Sequence, residues 1–290
     1  MPDVHAAKPP KTARFWEGVL DAEYPMVELV RRLPSKERAR RDLALEIVQA
    51  PERVAEAFSR TVAAIDGYAV EAPFLVRGEG KPEPTVHEGQ LRVIHDLSLR
   101  LKPPGKLTPV DSASVPGVGH GDLDLVYLER DPTLTRTAKA DRPEDLVEPA
   151  AKLKTDLLLA APDGTIGVGE VTIGDDRDLF SALIRALAGL ALIATPAQIR
   201  RVFANYVTPQ FGLPPGVAPK LDIVLLTVPR GGDRNARLTE LDVLARGFVP
   251  ALLAQSCIAA IVRQVTGIRA ALAGEELALT GRWIERPALG

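Results

Sequence analysis

Two carboxylates, Asp156 and Glu170, flank the turn Pro162-Asp163-Gly164 within the stretch Lys152–Arg177. Asp-Gly between apolar runs is a hairpin signal, so Leu153–Ala160 and Thr165–Ile173 are expected as paired strands. Side chains alternate along a strand, which puts Lys154 on the face of Asp156 and Thr172 on the face of Glu170. Side-by-side pairing would bring the two carboxylates together. Their oxygens suit a hard cation such as Mg²⁺, which keeps waters for a phosphate and a nucleophile. Asp156 and Glu170 are therefore the candidate metal ligands. Lys154 is the candidate source of positive charge beside them.

Other motifs carry less chemistry. Gly167, Gly169 and Gly174 fit neither a Walker loop nor a dinucleotide-binding turn, because the residues between them read as strand; close backbone approach is the expected reason for them. The run Arg31–Arg41 holds Arg31, Arg32, Lys36, Arg38, Arg40 and Arg41 against one acid, Glu37. Such a cluster can contact phosphates. Its plainer reading is a solvated helix start, although basic groups at a helix N-terminus oppose the macrodipole. One cysteine, Cys257, excludes an intramolecular disulfide and a multi-cysteine zinc site, and it is expected to pack as a small hydrophobe. The four histidines have no metal-ligand spacing.

The elements that must hold these residues follow from periodicity and breakers. Helices are expected at Arg38–Val48, Glu52–Ile65, His87–Leu101 and Asp178–Ala194. Strands are expected at Asp122–Glu129, at the two hairpin arms, at Arg201–Val207 and Leu221–Val228, with a short last one at Leu277–Glu285. Arg237–Ala273 reads as one long helix that Pro250 kinks or splits. From His87 onward the order argues for an α/β core with a mixed sheet.

That order resembles the PD-(D/E)XK nuclease superfamily, whose core is a helix often bearing Glu, a β-meander with Asp and (Asp/Glu)-x-Lys, then a helix and a further strand. The resemblance covers roughly residues 87 to 228. It implies Glu88 as the helix Glu, Asp156 as the Asp, and Glu170-Val171-Thr172 as the last motif. Thr172 stands where the family has Lys, and a hydroxyl cannot supply that charge. Lys154, or Arg177 or Arg185 from the following helix, would have to. The implied fold is a mixed central sheet of restriction-endonuclease-like topology with helical N-terminal and C-terminal flanks. The expected division is a helical region over 1–80, the core over 81–235 and a C-terminal helical region over 236–290. The implied reaction is Mg²⁺-dependent phosphodiester hydrolysis, with catalytic roles for Asp156, Glu170, Lys154 and Glu88; the alternative is an inactive nuclease fold used in binding or assembly. A third reading comes from Asp122 and Asp124, which resemble the carboxylate pair of nucleotidyltransferases.

A net charge of −2 excludes binding of nucleic acid by bulk charge but not by a local patch. Nucleic acid, DNA first, is the expected partner, with a protein partner or homodimer also open. With no signal-type segment and no apolar run of spanning length, the chain reads as cytoplasmic and off the membrane.

Overall fold

The computed structural model describes residues 11–66, 126–130, 132–135, 153–160, 165–173, 178–202, 220–228, 239–273 and 276–288. Glu88, Asp122, Asp124, Arg177 and the expected helix His87–Leu101 lie outside the described residues.

The N-terminal part is helical: α1 Lys11–Leu20, α2 Pro25–Arg31, α3 Glu37–Val48 and α4 Pro51–Asp66. In α4, Val54, Ala57, Phe58, Thr61 and Ile65 recur at helical spacing and are buried, forming one apolar stripe. Thr61 Oγ1 donates to Ala57 O at 2.9 Å and accepts from Met26 N at 2.9 Å, which fixes the start of α2 on α4. Cys257 is half-buried, with its Sγ 3.5 Å from Ala55 O, as expected of a packed thiol.

The remaining described elements are β1 Val126–Arg130, β2 Leu157–Ala160, β3 Ile166–Ile173, α5 Leu179–Ile193, α6 Pro196–Val202, β4 Leu221–Val228, α7 Glu240–Leu253, α8 Ser256–Ile261, β5 Val262–Ala273 and β6 Glu276–Glu285. They build a mixed α/β fold on a six-stranded sheet in chain order. β1, β2 and β3 form an antiparallel meander. β3, β4 and β5 are parallel, and β6 returns antiparallel at the edge. Parallel neighbours need crossovers; α5–α6 and α7–α8 lie in those connections.

Two expectations are corrected. Arg201 and Val202, expected to open a strand, close the helix Pro196–Val202, while 203–207 lie outside the described residues; Pro196 at the first helical position is pre-set for the helix. The helical pattern over Arg237–Ala273 ends at Ile261, and Val262–Ala273 is strand rather than helix; the strand expected at Leu277–Glu285 is found at Glu276–Glu285. The helical stretch is split just after Pro250, as expected: α7 ends at Leu253 with Ala254 N on Pro250 O at 3.0 Å, and α8 begins at Ser256. Strand takes over at Val262.

α5 organises the core. Every residue in it is buried except Arg185. It packs on β3 and β4 on one side and on α2 and α4 on the other, so it has no polar face to offer water. Its N-cap Asp178 accepts from Ser181 N at 2.7 Å and makes an ion pair with Arg40 Nε at 2.9 Å. Thr239 and Asp242 form a capping box on α7, and Asp242 Oδ1 also accepts from Leu179 N at 3.0 Å. One carboxylate thus holds the starts of both helices. Asp242→Ala would remove a cap and leave the Leu179 N–H buried without its acceptor, which should lower the unfolding free energy by about 2 kcal/mol in urea titrations. An unchanged midpoint would remove Asp242 as the tie between α5 and α7.

Candidate functional site

Antiparallel pairing sets Leu157 opposite Gly169 and Leu158 opposite Val168. Extending this register by one step would set Asp156 opposite Glu170. β2 begins only at Leu157, however, so Asp156 precedes the strand, and its Oδ2 accepts from Val171 N at 2.8 Å. The side chain takes up a donor that the backbone of β2 does not reach. Asp156 is 7% exposed and Glu170 1%.

A carboxylate as buried as Glu170 needs a partner. Arg185, the one charged residue of α5, supplies it: its Nε donates to Glu170 Oε2 at 2.9 Å and its Nη2 to Lys154 O at 2.9 Å. Burial by itself pulls the guanidinium down, but the charge of Glu170, the hydrogen bond to it and the charge of Asp156 outweigh this, and the group ends above its ordinary value. That balance also shows both carboxylates acting on one cation. Gly189, one helical turn on, lets α5 approach: a Cβ there would fall 2.3 Å from Thr155 Cγ2 and 3.2 Å from Val168 Cγ1.

The other expected residues are placed differently. Lys154 is joined to Thr133 by an isolated bridge, and its side chain is exposed. Its carbonyl accepts from Arg185 Nη2. Of the alternative sources of charge, Arg185 is the one seen on Glu170, and Arg177 lies outside the described residues. Thr172 is buried and its hydroxyl donates to Leu226 O at 3.4 Å. In the basic run, Arg31 and Arg32 pair with Glu28, Arg40 with Asp178, and Arg41 with Glu240. Lys36 and Arg38 are exposed. The run thus binds α2 and α3 to their surroundings, through exposed pairs that contribute little individually and one shielded pair at Asp178.

The same face of the sheet continues past the carboxylates. Glu170 is registered with Leu225, Leu225 with Gly267 and Gly267 with Trp283; Thr172 is registered with Thr227 and Thr227 with Arg269. A cavity of about 230 Å³ lies on this continuation, between the C-terminal half of β4, the middle of β5 and β6, and the N-terminal half of α7. Arg246, Arg269 and Trp283 on its walls were not singled out from sequence. Periodicity assigned the stretch carrying Arg246 and Arg269 to one helix, which hid β5.

As donors, Asp156 and Glu170 suit a hard cation. Among the described residues no third acid, histidine or cysteine joins them as a metal-binding group. Mg²⁺ needs only one or two carboxylates when water and substrate phosphate complete its shell, so the pair fits. Comparison with family models, with curated proteins and with solved structures gave no match to this chain. Among the described residues no single helix is long and apolar enough to cross a membrane.

Proposed function

We propose that the chain is a PD-(D/E)XK-like hydrolase of phosphodiester bonds in nucleic acid, DNA first, in which Arg185 provides the positive charge that Thr172 cannot. The observation that carries this reading is the cluster of two buried carboxylates with one cation: Asp156, just before β2, accepts from Val171 N of β3, and the only charge of the next helix, Arg185, is brought onto Glu170. The antiparallel meander, the helix after it and the parallel β4 fit the same reading, down to a sheet of restriction-endonuclease-like topology. Asp156 and Glu170 would hold Mg²⁺. When bound, the ion supplies Lewis-acid stabilisation of charge developing on the phosphate. The chain's own part is to fix the two carboxylates through Val171 N and Arg185, and to keep a guanidinium where negative charge accumulates.

Nicking of supercoiled DNA tests this. Cleavage is expected with Mg²⁺, to be lost in EDTA, and to fall at least ~100-fold in Asp156→Asn and Glu170→Gln, which keep side-chain size. Cleavage that survives EDTA and both substitutions would overturn the proposal.

A second reading, a nuclease-fold protein used for binding or assembly, is favoured by the near-complete burial of Glu170 under Arg185. In that case the guanidinium replaces the metal outright. Calorimetric titration with Mn²⁺ separates the two: heat that disappears in the Asp156→Asn, Glu170→Gln double variant belongs to the hydrolase, and no heat in the native chain belongs to the second reading.

A further inference from the structure

We infer that the cavity between α7 and β4, β5 and β6 is a phosphate-binding subsite for a nucleic-acid strand. Its described walls carry three arginines, Arg246, Arg269 and Arg282, and one acid, Asp242. The acid is committed elsewhere, since Oδ1 accepts from Leu179 N and Oδ2 from Thr239 N. The described walls thus hold three cationic side chains against one acid in a chain whose net charge is −2, and positive charge gathered in a concave site with apolar walls favours an anion.

The arginine at its mouth is held in place. Arg246 is exposed, and its guanidinium carbon lies 5.8 Å from the centre of the Trp283 ring. Among the described residues it has no carboxylate partner. Stacking on an aromatic face fixes the plane of the guanidinium at little cost in hydrogen bonds, leaving its N–H groups for a ligand oxygen. Trp283 is itself fixed, because it lies flat on Gly267: a Cβ at that position would sit 2.1 Å from the indole. Gly267 makes room for the ring, the ring orients Arg246, and Arg246 faces the cavity. Thr227 adds a hydroxyl to the wall.

The position explains why the ligand is a strand rather than a lone ion. Leu225 and Thr227 line the cavity and are the register partners of Glu170 and Thr172. Gly267 is two strands from Glu170, about 10 Å at the usual strand spacing. A nucleic-acid strand advances roughly 3.4 Å per nucleotide, so a phosphate about three nucleotides from the one at the carboxylates would fall here. This assignment of the ligand rests on the hydrolase reading. The excess of cationic side chains on the described walls does not.

Fluorescence anisotropy of a labelled DNA duplex tests it, with the full-length Glu170→Gln chain in EDTA so that binding is read without cleavage. Arg246→Ala is expected to weaken binding about 5-fold or more and to lower the slope of log affinity against log salt by about one phosphate contact. Trp283→Leu should reproduce most of the loss with Arg246 still present. Lys220→Ala, exposed at the far end of β4, should change neither. Affinity and salt slope unaltered by Arg246→Ala, or no DNA binding at low salt, would overturn the subsite. If Mg²⁺-dependent nicking fails while the Arg246 effect remains, the hydrolase reading falls and the subsite stands. Titration with AMP separates a strand from a free nucleotide: Arg246-dependent binding of AMP without binding of the duplex would overturn the strand assignment.

Discussion

Replacing Arg185 with Met should lower the unfolding free energy by about 3 kcal/mol, the largest single effect expected in the fold. Removing one partner of a buried pair leaves the other as an uncompensated charge, at about 3–5 kcal/mol. The lower end applies because the Arg185 side chain keeps 22% of its exposure, whereas Glu170 has 1%. Adding Glu170→Gln to Arg185→Met should restore more than half of the loss, since the charge that lacked a partner is then gone. Urea denaturation of the two single variants and the double closes the cycle, and simple additivity would show that the pair is not coupled. The pH dependence follows from the sign of the shift. Arg185 is raised above its ordinary value, so its contribution is fully present below that value and is lost only as pH rises through the folded one. On its account, stability should be flat from about pH 6 to pH 10.

The second large effect is at Gly189, where Val should cost about 3 kcal/mol. In an exposed helix interior a side chain would gain up to about 1 kcal/mol over Gly. Here the added Cβ would overlap Thr155 Cγ2 at 2.3 Å, and overpacking costs about 1–3 kcal/mol, with more for a branched side chain. The clash wins. Because Thr155 adjoins Asp156, the displacement also moves a carboxylate of the site. Gly189→Val should therefore reduce Mn²⁺ binding beyond what its fraction unfolded accounts for. Equal loss of folding and of metal binding would confine the role of Gly189 to packing.

The parts of the fold legible in the sequence are those with one exposed face or a clear breaker. Helices expected at Arg38–Val48 and Glu52–Ile65 are found at Glu37–Val48 and Pro51–Asp66, set by polar outer faces and by Pro51. The strand expected at Leu221–Val228 is found there, and the expected hairpin arms are found as the antiparallel pair β2–β3. β5 was not legible because it is buried on both faces: Val265, Thr266 and Ile268 are all under 5% exposed. A strand covered on both sides loses its alternation and looks like buried helix. The pairing of Glu170 with Arg185 depends on how far along α5 the chain crosses β3, which no local spacing encodes.

The burial of α5 on all sides has a consequence for synthesis. Its partners α2 and α4 come from the first 66 residues, and about 110 residues separate the end of α4 from its own start. At 5–20 residues per second on the ribosome, the apolar faces holding Met26, Leu29 and Phe58 wait on the order of 10 s for the helix that covers them. The N-terminal helices therefore emerge long before the element they cover, and docking is slow because the contacts are so far apart in sequence. During that interval the nascent chain displays a sticky helical surface of its own. A chaperone that shields apolar helices would find its target in the first quarter of this chain, before any of the sheet has been made.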